Sequence, residues 1–337
     1  MGRESTPAAA LDGARAAAPR RVPAARAIAI AGVLVVALAL TFALKGYQLF
    51  QATMVLSYAV ALVGLNLLTG YNGQISLGHG AFYAIGAYSA AILIDRYGVP
   101  YAIALPVAGA VCLALGYAFG RPALKLEGLY LALATFALGV AMPQLLKYSR
   151  LEPWTGGVQG IVLTKPEAPF GLPLSADQWL YLFALAVTAL MFLVAHNLIE
   201  SGSGRAMRAI RDHPLAAEAS GIDNRHYKSM TFGISAAYTG VGGALSALAV
   251  QFVAPDSYTV FLSISLLVGI VVGGVGTLWG ALFGAAFIMF VPTLAEQVSK
   301  AAPWTVYGLV LIVFMYLMPG GVVGLYRAAR RRWRRGR

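Results

Sequence analysis

Charge is what this sequence is short of. Of its 337 residues only 11% are Asp, Glu, Lys or Arg, against 59% hydrophobic, and the mean hydropathy is +0.73. That balance excludes a water-soluble domain, whose surface needs more polar side chains, and places the chain among polytopic membrane proteins. Cysteine is nearly absent as well. The single Cys112 lies in an apolar run, which excludes a disulfide framework and a thiolate metal site. His79, His196, His213 and His226 show no HExxH or other metal spacing, and no Gly-x-Ser-x-Gly elbow occurs, so no catalytic residue and no metal ligand is assigned. The run GGVGTLWG at 273–280 lacks the Lys-Ser/Thr that completes a phosphate loop and lies between apolar spans, which excludes nucleotide binding there. Acidic residues are the scarcer sign, 13 against 25 basic, yet +10 of the net +12 sits in residues 1–26 and 327–337. Tails of that kind fix topology and touch anionic lipid, so membrane lipid, not nucleic acid, is the expected partner.

What is present is a series of spans. Stretches with little or no charge recur at about 27–44, 52–70, 75–94, 101–120, 127–146, 178–198, 229–250, 258–275, 278–295 and 304–321. The expected fold class is therefore all-α, a polytopic membrane protein of about ten transmembrane helices. The run from Ser257 to Ala295 is counted as two spans, because an even number of crossings keeps both basic tails in the cytoplasm. The organisation expected is a disordered basic cytoplasmic tail over 1–26, a transmembrane domain over 27–322 with a cytoplasmic insert at 200–228, and an Arg-rich cytoplasmic tail over 323–337. Alternation places Arg205, Arg208, Arg211, Arg225 and Lys228 of the insert inside and the charge-balanced loop 147–177 outside.

Three patterns invite a functional reading. First, GYNGQISLGHGAFYAIGAY at 70–88 carries Asn72, Gln74, Ser76 and His79 within a run, Ala52 to Ile94, that has no charged residue. Gly70, Gly73, Gly78 and Gly80 permit bends, and backbone groups freed at membrane depth must be satisfied by protein or by a water-lined path. The stretch reads either as a broken helix against a translocation path or as a buried kink with no substrate contact. Second, Gly269 and Gly273 on one helix, and Gly276, Gly280 and Gly284 on the next, fall at four-residue spacing and are expected to line helix-packing faces, as are Gly116 and Gly120. Third, the insert is too apolar for a linker. From Arg205 it reads as an amphipathic helix with Met207, Ile210 and Leu215 on its apolar side, interrupted at Pro214, resumed over Ala216–Ala219 and stopped at Gly221 by a left-handed cap. By pattern alone such a helix lies on the bilayer surface.

Five ordered blocks carry a resemblance. GLNLLTGYNGQISLGHGAFYAIGAY, LKLEGLYLALATFALG, WTGGVQGI, GRAMRAIRDHPLAAEASGID and FVAPDSYTVFLSISLLVGIVVGGVGTLWGALFGAAF, over about residues 52–320, resemble the LivM-type permease subunits of branched-chain amino-acid ABC importers. The resemblance implies the type II ABC importer permease fold, a LivH-type permease as partner, two ATP-binding subunits and an extracytoplasmic solute-binding protein. It implies no cofactor on this chain, with ATP and Mg held by the partner subunits, and a multi-pass location in the inner membrane. It also implies that the insert is the segment pressed into the ATPase, at Gly204, Arg205, Ala209, Arg211, Ala217, Glu218 and Gly221. Val158 and Gln159 occupy variable positions of the WTGGVQGI block, and urea or short-amide importers share much of the pattern. A self-sufficient channel or secondary carrier is the alternative from another class.

Overall fold

The computed structural model describes residues 24–123, 128–298, 300, 302–318 and 320–325. The two basic tails lie mostly outside the described residues. One compact unit ends at Ala43 and contains α1 (Ala24–Ala43); the rest of the chain, from Leu44, is the other. The larger unit runs α2 (Gly46–Asn66), α3 (His79–Tyr97), α4 (Tyr101–Ala123), α5 (Leu129–Leu146), the single turn α6 (Glu152–Thr155), β1 (Ile161–Val162), α7 (Ala176–Glu200), α8 (Gly202–Asp212), α9 (Pro214–Ala219), α10 (Asn224–Val250), β2 (Phe252–Val253), α11 (Val260–Gly273), α12 (Gly280–Val298) and α13 (Pro303–Leu317). Counting α1, ten of the described helices have 14 residues or more, and eight described segments are long and apolar enough to cross a membrane. α3 falls outside the eight because His79 opens it and Asp95 and Arg96 close it.

Local chemistry sets the helix ends. Ser175 accepts from the Gln178 N–H at 3.2 Å while Gln178 Oε1 accepts from the Ser175 N–H at 2.9 Å, a capping box that starts α7. Asp223 accepts from the His226 N–H and starts α10, where a carboxylate also suits the positive end of the helix. The span expected at 75–94 begins four residues later, at His79, because 73–78 are not helical and Gly73 has φ +76°.

α10 is the centre of the larger unit, gripped by α2, α3 and α4. Its small residues let backbones touch where no hydrophobic force drives helices together. A Cβ on Gly243 would lie 2.0 Å from the Tyr83 carbonyl oxygen, one on Gly86 2.0 Å from that of Gly240, and one on Gly242 2.7 Å from that of Ser57. Gly116 meets Ala236 and Gly120 meets Phe232, as their spacing led us to expect. Polar links tie the same helices: Ser57 Oγ donates to the Gly242 carbonyl at 2.8 Å and accepts from the Tyr83 hydroxyl at 2.7 Å.

The glycine face drawn through Gly276, Gly280 and Gly284 is corrected in one respect. Gly276 is not on α12; it lies in the connecting loop with φ +72°, and Gly280 opens the helix. The other four do pack. Gly284 meets the Gly269 carbonyl and Gly273 meets that of Gly280, both at 2.0 Å from the would-be Cβ, so α11 and α12 touch along their backbones.

Among the described residues the exception to an all-α architecture is an antiparallel ribbon pairing Ile161 with Val253 and Val162 with Phe252. It joins the loop after α6 to the end of α10, whereas α8 and α9 lie before the start of α10. The two loops therefore emerge at opposite ends of a 27-residue helix, which is about 40 Å long. Val158 at the ribbon end and Leu215 at the other are exposed. With Cys112 replaced by Ser, Val158→Cys and Leu215→Cys are expected to react with an impermeant maleimide from opposite sides of the membrane. Labelling from one side would overturn the alternation.

Candidate functional site

The insert is two short helices with different environments. In α8 the side toward the bundle is Gly204, Ala206, Met207 and Ile210, all buried. Gly204 is required by contact, since a Cβ there would lie 2.2 Å from the Ile199 carbonyl oxygen. Arg205 and Arg208 donate to the carbonyls of Glu200 and Ile199, closing the end of α7. Ala209 is half-buried. Arg211 turns inward: Nη1 donates to the Gly70 carbonyl at 2.8 Å, and Nε and Nη2 pair with Asp212. At His213 the backbone becomes extended, and Pro214 starts α9 as its first residue, where a missing N–H costs nothing.

That bend separates the apolar residues. Leu215 does not share the face of Met207 and Ile210; it is 83% exposed. Ala217 is buried and Glu218 exposed. α9 ends as the sequence implied: Gly221, with φ +83°, donates to the Glu218 carbonyl at 2.9 Å, and Ile222 donates to that of Ala217 at 3.0 Å, the paired bonds of a Schellman cap. Beside α9 a cleft of about 320 Å³ is lined by Leu215 and Glu218 on one side and Asp223, Arg225 and Lys228 on the other. It is an open surface of mixed charge around one exposed leucine.

The polar stretch after α2 packs against α8 and the first half of α10. α2 ends in a wide turn over Leu67–Tyr71. Asn72 Nδ2 donates to Thr231 Oγ1 at 2.8 Å, and Gln74 Nε2 donates to Asn72 Oδ1 and to the Lys228 carbonyl. Ser235 Oγ donates to the Gly64 carbonyl at 2.6 Å, so it accepts from His79 Nε2, also at 2.6 Å. This fixes His79 as the Nε2–H tautomer, with Nδ1 accepting from Ser76 Oγ at 2.9 Å. All four side chains singled out in the sequence are buried, and each binds protein. The glycines serve close approach more than bending. Gly70 abuts Asn66 and Gly276, Gly78 the Thr135 carbonyl and Gly80 Ser263; Gly73 alone has a left-handed φ.

Sequence reasoning passed over Asn66, Thr231 and Ser235. Asn66 was open to detection, as a lone amide inside an apolar span, and it is 2% exposed. Its Nδ2 donates to the Thr277 carbonyl and its Oδ1 accepts from the Gly276 N–H, both at 2.8 Å. At the other end of the bundle, the WTGGVQGI block is held by Thr155 Oγ1 on the Leu146 carbonyl and by Gly160, whose would-be Cβ lies 2.4 Å from the Val253 carbonyl oxygen. Among the described residues no group of three or more His, Cys, Asp or Glu is placed to hold a metal.

The family model for the permease component of branched-chain amino acid transport systems matches residues 47–318. The chain belongs to this permease family. Among curated relatives, the permease is 31% identical to the high-affinity branched-chain amino acid transport system permease protein LivM of Salmonella typhimurium, over 88% of this chain and 74% of that one. The same protein of Escherichia coli is also 31% identical, over 88% and 75%. LivH of Salmonella typhimurium is 26% identical over 82% of this permease and 94% of its own length. No solved structure matches. Each of the five sequence blocks that carried the resemblance begins and ends inside the matched residues, and the permease is a multi-pass membrane protein.

Proposed function

We propose that this permease is the LivM-type membrane subunit of an ABC importer for leucine, isoleucine and valine, located in the inner membrane with both termini in the cytoplasm. Its partners are a LivH-type permease, two ATP-binding subunits that hold ATP and Mg, and an extracytoplasmic binding protein that delivers the solute. The chain itself holds no ATP site and no cofactor. Similarity to both LivM and LivH suits a path formed between two chains of one fold.

The observation that carries this reading is α9. A hydrophobic residue 83% exposed at the tip of a capped helix, beside Glu218 and Arg225, has the anatomy of an interface anchor with a polar rim. The rest of the insert is bound to its own bundle through Gly204, Met207 and Ile210, so a push on α9 is transmitted. Asn72, Gln74, Ser76 and His79 then frame the end of the path nearest the insert; they hold its wall in shape. The test is reconstitution with a LivH-type permease, ATP-binding subunits and a solute-binding protein. Uptake of labelled leucine is expected to require active ATP-binding subunits and to be competed by isoleucine and valine but not by urea. Uptake without ATP would favour a channel or carrier, and competition by urea would move the solute to the short amides.

A further inference from the structure

We propose that Asn66 is a positioning residue of the transport cycle: with Arg211 and the Gly70 carbonyl it forms a junction that passes movement of α8 into the loop 274–277 between α11 and α12. The proposal rests on the reading of α9 as the element that meets the ATPase.

The geometry begins with a misplaced backbone bond. In an α-helix the Gly70 carbonyl would accept from the N–H of residue 74. Here the Gln74 N–H donates to the Leu68 carbonyl at 3.1 Å, which leaves the buried Gly70 oxygen without its helical donor. Arg211 supplies the replacement at 2.8 Å. The end of α2 holds the wide turn with Arg211 engaged; a regular turn, with the Gln74 N–H on the Gly70 oxygen, would release Arg211. Wide turns of this kind occur mostly as single local departures from α-geometry, frequently at functional sites.

The other side of the turn is Asn66. Its amide grips the Gly276 N–H and the Thr277 carbonyl across 210 and 211 residues of sequence. Gly70 is pressed between the two parts, since a Cβ there would lie 2.1 Å from Asn66 Oδ1 and 2.5 Å from the Gly276 nitrogen. Gly274 and Gly276 have φ +114° and +72°, conformations that other residues resist, and the Thr277 hydroxyl, donating to the Gly274 carbonyl at 2.6 Å, ties the loop across itself. Because Gly273 and Gly280 touch just beyond it, displacement of the loop displaces both α11 and α12. Arg211 engaged or released therefore has a direct route to two spanning helices.

The test is the number of leucine molecules moved per ATP hydrolysed, measured in vesicles holding the full importer and binding protein at matched complex content. Asn66→Ala and Arg211→Ala are each expected to lower that ratio about five-fold or more, the range of coupling between linked sites, while hydrolysis continues. Arg211→Lys, which keeps one donor for Gly70, retains more of the ratio than Arg211→Ala. The double variant falls no further than the worse single one, because both break one junction. A parent-like ratio in Asn66→Ala, or losses that add in the double variant, would overturn the proposal. Should Asn66→Ala not accumulate, Asn66→Asp, which keeps the acceptor for Gly276 and loses the donor to Thr277, carries the same expectation. Leu215→Asp is measured alongside. If it hydrolyses and transports like the parent, the docking reading of α9 fails; if it is defective while Asn66→Ala is normal, only the junction fails.

Discussion

Leu215→Asp is expected to reduce solute-stimulated ATP hydrolysis and uptake together by roughly thirty-fold or more, equivalent to about 2 kcal/mol or more at an interface anchor. The permease itself should insert and accumulate normally, because Leu215 is exposed in the chain alone. The charge acts only once a partner covers it, where an unpaired carboxylate loses its water. Glu218→Ala should follow in the same direction with a smaller loss, as a rim contact. Gly221→Val should reach a similar end by the backbone, since a β-branched residue is strained at φ +83° and the cap of α9 would open. The measurement is ATPase activity in vesicles with binding protein and leucine present, with subunit content checked by blot. Parent-like activity in Leu215→Asp would return the insert to the reading its amphipathic pattern first suggests, a helix on the lipid surface.

The largest structural effect is expected at the centre of the bundle. Gly243→Leu places four heavy atoms where the first would already lie 2.0 Å from the Tyr83 carbonyl oxygen. Overpacking a core of side chains costs about 1–3 kcal/mol because they can rearrange. Here the obstacle is backbone, and relief requires α10 and α3 to separate along the contact that Gly86 and Gly240 also make. The variant should therefore fail to accumulate in the membrane, whereas Gly308→Leu, with nothing within 4 Å of the added Cβ, should accumulate like the parent. Equal yields on gel filtration would show that α3 and α10 are not in backbone contact.

How far the sequence could be read depends on the range of each interaction. Apolar runs report spans residue by residue, so the helices were placed within a few positions. The α8–α9 bend and the cap at Gly221 were legible because Pro214 and a glycine act on their own backbone. The exposed side of α9 was not, since the apolar period of Met207, Ile210 and Leu215 continues smoothly through the extended His213 that redirects it. Gly276 was assigned to a helix by its spacing, which a loop can satisfy by coincidence. The role of α10 was hidden because Gly233, Gly240, Gly242 and Gly243 follow no four-residue repeat; they meet three different neighbours. Asn72, Gln74, Ser76 and His79 stood out as polar groups in an uncharged run, but their partners Thr231, Lys228 and Ser235 lie more than 150 residues away. A pattern can mark such a residue as in need of a partner without naming it.

The ribbon between Ile161–Val162 and Phe252–Val253 has a mechanical meaning. It fastens one tip of α10 by main-chain bonds, while at the opposite tip Asn224 Nδ2 donates to the Pro214 carbonyl of the insert at 2.8 Å. Main-chain pairing at that tip resists sliding of α10 along its axis, and because α2, α3 and α4 hold its length, any tilt of α10 about the ribbon would carry those helices with it. For a helix about 40 Å long, a tilt of roughly 5° moves the far tip by roughly 3.5 Å and the ribbon tip hardly at all. The amplitude of any such tilt is therefore greatest beside α8 and α9, where a small stroke delivered from outside the bundle has the longest arm, and least beside the WTGGVQGI loop, whose shape stays constant through it.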